Sequence, residues 1–281
     1  ELIILGHDVY ISPRAPLHQA WLNSINDLDV DSHYNQITKN LKIGDAFTKY
    51  DLSLDIATPP MSVPFRSDKR VIFMVSEYSH FSLTYIDLVG GQSALTNLFE
   101  SVDYVITPSE WSSNALLNAG CPIAKIKVVR HGVSNYKQYK FLDDHQLEQL
   151  QHEAKNQFKV DFNMMTILTI GTPTFNKGID ILIKAIYESD LASNIVLIFK
   201  GSDKIYGSKK ELKKLLSKYR AEYGAPLQVR YIGHNLNWAN LQSLIKSSDL
   251  YASLFRAEGF NLPVAEAYAS GLPLLITQAP P

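Results

Sequence analysis

Two glutamates, Glu258 and Glu266, stand eight positions apart in a stretch that also holds Gly259, Asn261 and Pro263. A strand ends near Leu254, and a glycine-containing loop leads to Pro263 in the first turn of a helix, where its missing N–H costs nothing. Gly271 and Pro273 then stop that helix. The backbone N–H groups from Asn261 to Val264 become orphan donors at the positive end of the helix dipole, a ready site for a phosphate. Glu258 falls just outside the helix and Glu266 one turn inside it, so the two carboxylates flank an anion and can accept hydrogen bonds from hydroxyls. A ligand with a diphosphate in its middle and a polyol at each end, ribose on one side and a sugar on the other, fits that spacing. The bland alternative is a helix start with two solvated glutamates. The coincidence of the glycines, the proline and both acids with an anion site outweighs it.

The elements that must carry such a site are written in the alternation of strand-length apolar bursts with helical-period segments, the βαβ signature of helix-covered parallel sheets. One series of strands is expected near Asp8–Ile11, Leu52–Ala57, Arg70–Val75, Tyr104–Thr107 and Lys127–Arg130. A second is expected near Met165–Gly171, Ile195–Gly201, Gln228–Gly233, Leu250–Ser253 and Pro273–Thr277. Between them residues 135–162 are polar and helix-prone, which marks a domain junction. The expected domains are 1–134 and 135–281, both α/β with Rossmann-like parallel sheets facing across a cleft. Gly6 after Leu2, Ile3 and Leu5 reads as a helix stop, and the chain ends at Ala279-Pro280-Pro281 directly after a strand. Both ends therefore read as cut, with a first strand and last helices expected beyond them.

A length of 281 residues suits two domains, and 46% hydrophobic with 20% charged residues suits sizeable cores. The net charge of −1 argues against a nucleic-acid-binding protein. It is unevenly spread: residues 1–160 carry 14 basic against 18 acidic groups, and residues 161–281 carry 13 against 10, so the second half is the better host for an anion. One cysteine, Cys121, precludes an internal disulfide or a cysteine-based zinc cluster. It reads as a small apolar filler, and the cytoplasm is the default location. No apolar run approaches the ~20 residues of a membrane span. The first residues lack a signal peptide's basic start.

The run E-G-F-x-L-P-x-x-E from Glu258 to Glu266, followed by A-x-A-S-G-x-P from Ala267 to Pro273, resembles the donor-binding motif of the retaining glycosyltransferases of family 4, which have two Rossmann-like domains in the GT-B arrangement. Val102 to Trp111, with Gly120, Lys125 to Val129 and His131-Gly132-Val133, resembles that family's passage from the first domain to the junction. Ile170-Gly171, followed by Asn176-Lys177-Gly178 and Leu182, resembles its opening of the second domain. Gly6 to Tyr10 matches the end of its first helix.

The resemblance implies a sugar transferase that takes a UDP-, GDP- or ADP-sugar as donor, needs no metal or other cofactor, and passes the sugar to an acceptor with the anomeric configuration kept. It implies that Lys177 binds the donor diphosphate, Glu258 contacts the transferred sugar and Glu266 holds the ribose hydroxyls. Backbone N–H groups of Gly259, Phe260, Asn261 and Leu262 would meet sugar and phosphate. Gly171 and Thr172 would border the same site, and Gly201 would allow close approach to it. Where the family often has an arginine after Gly171, this chain has Thr172: either another basic residue, such as Lys200 or Lys204, reaches in, or donor binding and catalysis are weaker than the family norm. His80, or Glu77 beside it, is expected on the loop that faces the cleft, against the sugar. A sugar-nucleotide epimerase of the same architecture, or a nucleotide-sugar-binding scaffold with weak catalysis, is the competing reading.

Other features read more plainly. Asp27, Asp29 and Asp31 form a D-x-D-x-D run in a polar stretch, a solvated turn rather than a metal site. Lys209, Lys210, Lys213, Lys214, Lys218 and Arg220 make a basic helical stretch. It reads first as a solvated face and second as a peripheral contact with the inner face of a membrane. His131 is expected to shape the junction, and Gly90-Gly91 lacks the strand-to-helix setting of a phosphate loop.

Overall fold

A computed structural model describes residues 6–11, 42–45, 47–56, 66–133, 144–159, 163–236 and 238–278. Among the described residues eleven strands form three sheets, and every strand pair is parallel. Strands β1 (Tyr10–Ile11) and β2 (Lys42–Ile43) pair with each other and, among the described residues, with no other strand. β2 escaped the sequence reading because two residues carry no alternation to detect. The runs that would precede and join these two strands, including Leu2 to Leu5 and Asp27, Asp29 and Asp31, lie outside the described residues.

The first large sheet has the order β3 (Lys49–Ile56), β4 (Arg66–Phe73), β5 (Tyr104–Thr107), β6 (Ile126–Val128). Its core joins Ile72, Met74, Val105 and Ile126 to Leu95, Phe99 and Leu116 from the covering helices Gln92–Ser101 and Glu110–Asn118. Cys121 packs into this core, as expected of an apolar filler, and burial pushes its thiol up to about 11.

The second sheet has the order β11 (Leu274–Ile276), β10 (Leu250–Ser253), β7 (Met165–Ile170), β8 (Ile195–Lys200), β9 (Gln228–Ile232). The helix Asp144–Gln157, in the polar stretch between the two series, precedes it. β8 is buried along its whole length apart from its last residue, as a central strand covered on both faces must be. The helix Ile179–Glu188 buries Ile179, Leu182, Ile183 and Ile186, an i, i+3, i+4, i+7 stripe, against one face. Leu244, Ile245 and Ala267 cover the other. Among the described residues no helix is long and apolar enough to cross a membrane.

Because all strands run in parallel, the loops that follow them gather along one edge of each sheet. β7 and β10 are neighbours in the second sheet, so the loops after Ile170 and after Ser253 lie side by side. That adjacency builds the site.

Candidate active site

The helix of the glutamate block runs over Leu262–Ala269 with Pro263 in its first turn, as its start signals require. Its cap is Asn261, in the left-handed conformation at φ 65°, a region that asparagine tolerates better than most residues. The Asn261 side chain accepts from the Val264 N–H at 3.4 Å and donates through Nδ2 to Ser253 Oγ at 3.0 Å, tying the helix start to the end of β10.

This cap corrects the expectation of orphan donors from Asn261 to Val264. The Val264 N–H is satisfied by Asn261, through both its side chain and its carbonyl. The amides of Phe260, Asn261 and Leu262 donate to no group among the described residues. The open donors thus start one step earlier and run from the loop at Phe260 to the first helical residue, Leu262.

Lys177 ends a short 3₁₀ turn, Phe175–Lys177, after β7, and its ammonium reaches Glu258 in the loop after β10. Nζ lies 2.8 Å from Oε1 and 2.5 Å from Oε2 of Glu258. The Glu258 side chain is only 9% exposed. Burial pushes its carboxyl above the usual range, Lys177 pulls it back, and the charge of Glu77 pushes it up further. Glu266 is half-buried one turn into the helix; its carboxylate has no hydrogen bond among the described residues, and burial alone raises its carboxyl. A Cβ on Gly171 would meet the Lys177 stem at 3.8 Å, an ordinary contact, and it is the backbone at φ +149° that favours glycine beside the lysine. Gly178 sits at φ +62°, and a Cβ would strike the Leu254 carbonyl, so glycine is required there by conformation and by space.

Across the seam the first large sheet supplies its own groups. Asn176 Nδ2 donates to Glu77 Oε2 at 2.7 Å, which brings Glu77 to the residue next to Lys177. Ser109 Oγ donates to the Gly259 carbonyl at 2.5 Å, and a Cβ on Gly259 would come within 2.5 Å of Val75 Cγ2. The His131 ring stands edge-on to Phe260 at 5.0 Å, in keeping with a junction role. A cavity of about 330 Å³ at this seam is lined by Trp111, Arg130, Arg256, Glu258 and Phe260 among others.

Four residues expected at or near the site have other contacts in the structure. His80 is exposed, its ring 6.5 Å from that of Tyr78 and its carbonyl accepting from Ser76 Oγ; of that loop, Glu77 is the member linked to the cluster. A Cβ on Gly201 would meet Ser208 Cβ at 2.8 Å and the Tyr231 hydroxyl at 3.0 Å, so packing after β8 accounts for that glycine. Thr172 faces Thr174, the two hydroxyls 3.4 Å apart. Lys200 donates to the Gly201 carbonyl at 2.5 Å, and burial lowers its pKa. Among the described residues no three His, Cys, Asp or Glu side chains gather as a metal site would need.

Sequence reasoning gave no role to Arg256, Asp180 or Asn176. Arg256 forks onto Asp180 and Asn176 bridges to Glu77, contacts between residues 76 and 99 positions apart that no local pattern announces.

Residues 151–281 match the family model described as "Glycosyl transferases group 1". Among curated proteins none matches the chain. Among solved structures, HepE from Anabaena, in complex with UDP and glucose, is similar with a TM-score of 0.58 at 20% identity, over 75% of this chain and 53% of that one. An E. coli structure described as trehalose-6-phosphate bound with UDP-2-fluoro glucose is similar with a TM-score of 0.53 at 16% identity, over 75% of this chain and 53% of that one. The pneumococcal O-GlcNAc transferase GtfA, in complex with UDP and GlcNAc, follows with a TM-score of 0.50 at 19% identity, over 75% and 38%. These likenesses show a shared α/β fold of parallel sheets. This chain spans about half the length of the first two.

Proposed function

From a chain whose residues 151–281 match the glycosyl transferases group 1 model, we propose a glycosyltransferase that moves a sugar from a nucleotide-diphosphate donor to an acceptor hydroxyl, keeping the anomeric configuration. The observation that carries the reading is the Lys177–Glu258 pair beside the open amides of Phe260, Asn261 and Leu262. In this proposal residues 135–281 form the donor domain and residues 1–134 the acceptor side.

The ammonium of Lys177 and the loop amides hold the diphosphate and stabilise the charge that grows on it as it departs. Glu258 contacts the hydroxyls of the transferred sugar, and Glu266, its carboxylate unengaged and half-buried, takes the ribose hydroxyls. The bond between anomeric carbon and diphosphate oxygen breaks with its electron pair going to the phosphate. The acceptor oxygen bonds to the same face of that carbon, and its proton passes to the departing phosphate oxygen. The resemblance supports this front-face course. Because Lys177 and the amides supply the charge, the proposed reaction uses no metal.

The related structures carry UDP with glucose, a fluoroglucose or GlcNAc, which makes UDP the first nucleotide to try. The cytoplasm is the proposed location, in keeping with the single buried thiol of Cys121. Calorimetry with UDP, GDP and ADP should show binding of one of them, weakened by Glu266→Ala. Unchanged affinity in that variant would remove Glu266 from the site. Product analysis with the matching donor should show transfer or release of sugar, whereas an isomerised sugar nucleotide would identify an epimerase instead.

A further inference from the structure

Lys177 and Glu258 belong to separate loops, and their pairing needs those loops held in one register. Arg256 does this. Its Nη1 and Nη2 donate to Asp180 Oδ1 and Oδ2, both at 2.7 Å, in the fork geometry that only a guanidinium offers. Nη1 also donates to the Phe175 carbonyl at 2.8 Å, and the guanidinium lies 4.2 Å from the centre of the Phe175 ring. The Arg256 backbone N–H donates to the Asn176 carbonyl at 2.7 Å. One residue thus grips the turn Phe175–Lys177 from both its backbone and its side chain. It does so two positions before Glu258 and against the turn that ends in Lys177.

We propose that Arg256, anchored by Asp180, is a positioning residue that locks the Lys177 ammonium against Glu258 and so sets the diphosphate cradle. The inference deepens the donor site and rests on that reading for its catalytic meaning. Its geometric core is independent of any ligand. Arg256 acts through Lys177 rather than on the donor, since its fork is already filled by Asp180. A lysine at 256 could keep the charge but not both carboxylate bonds together with the Phe175 carbonyl.

Two measurements on the whole chain test this. In the first, amine acetylation followed by peptide mass spectrometry reads the reactivity of Lys177 without nucleotide. Arg256→Ala, Arg256→Lys and Asp180→Asn should each speed modification of Lys177 severalfold, leave the exposed Lys213 unchanged and melt cooperatively. The double exchange Arg256→Asp with Asp180→Arg should slow it again. Unaltered Lys177 reactivity in Arg256→Lys would overturn the proposal, and so would equal acceleration at Lys213, which marks general loosening.

In the second, UDP affinity is measured for Lys177→Ala, Arg256→Ala and the double variant. Arg256→Ala should weaken UDP about tenfold, the effect of roughly 1.4 kcal/mol. The double variant should be no weaker than Lys177→Ala alone. Additive losses would show that Arg256 works by another route and overturn the proposal. If wild type takes up none of UDP, GDP or ADP, the donor reading falls, while the labelling result still decides whether Arg256 locks Lys177.

Discussion

Lys177 Nζ donates to both carboxylate oxygens of Glu258, at 2.8 and 2.5 Å, although 81 residues separate them in sequence. The cation proposed for the donor diphosphate is therefore already neutralised by the acid proposed for the donor sugar. A diphosphate that arrives must share the lysine with Glu258, and the pair holds the ammonium pointed into the site until then.

Removing that competition should separate binding from turnover. Glu258→Gln leaves Lys177 with a neutral partner, so free UDP should bind a few-fold more tightly, an effect of about 1 kcal/mol for a partly exposed charge pair. Sugar transfer from the donor should fall by at least tenfold, because a hydroxyl-ordering carboxylate is lost. Isothermal calorimetry and a UDP-release assay on the same preparation give the two numbers. Tighter binding with undiminished turnover would leave Glu258 without a role at the sugar.

Glu266 carries a cost that its proposed role at the ribose would account for. Burial raises its carboxyl above the ordinary value of 4.5, so the folded chain holds the proton more firmly than the unfolded one. The sign follows from linkage. Between the unfolded and folded values the native state binds more protons, so this group's contribution to stability falls as pH rises through that window. Glu266→Gln should therefore melt higher than wild type at pH 7, with the gap narrowing as the pH falls toward 4.5. Thermal melts at a series of pH values check this, and the same variant should bind UDP more weakly.

Asn261 both caps the helix Leu262–Ala269 and holds a left-handed conformation. Asn261→Ala loses the cap and strains the backbone, and should lower stability by about 1–2 kcal/mol. Asn261→Gly keeps the conformation and should cost only a few tenths of a kcal/mol. Urea denaturation of the two variants distinguishes them. Equal losses would mean that the side-chain bonds to Val264 and Ser253, which both variants remove, outweigh the backbone conformation.

Gly178→Ala should be the most damaging single-methyl change near the site. Its φ of +62° disfavours any side chain, and its Cβ would occupy the space of the Leu254 carbonyl. The loops after β7 and β10 would have to part, at a cost of about 3 kcal/mol or more. Denaturation measures the loss, and Lys177 labelling should quicken in whatever fraction folds. Gly207→Ala serves as a control: it shares the positive φ, but nothing lies within 4 Å of its Cβ, so it should cost only about 1 kcal/mol.

Much of this site could be read before any coordinates. The strands at Tyr104–Thr107 and Leu250–Ser253 fall where their apolar bursts end, and the helix at Leu262–Ala269 starts where Pro263 says it must. Lys177 could be named only through the resemblance, since a lysine before a glycine is unremarkable by itself. Sequence does not separate His80 from Glu77: both are polar residues on one loop, and only Asn176, donating from the other side of the seam, links Glu77 to the cluster.

Sequence by itself determined what depends on neighbours a few residues away: the helix start, the glycine turns, the strand periods and the placing of two acidic groups on either side of a helix start. Tertiary structure alone decided which loops touch. The order β11-β10-β7-β8-β9 places β7 beside β10, and that adjacency brings Arg256 to Asp180 and Lys177 to Glu258. Local patterns record the propensities of single elements, whereas strand order is set by how whole faces bury their apolar surface together, and no window of the chain contains that information.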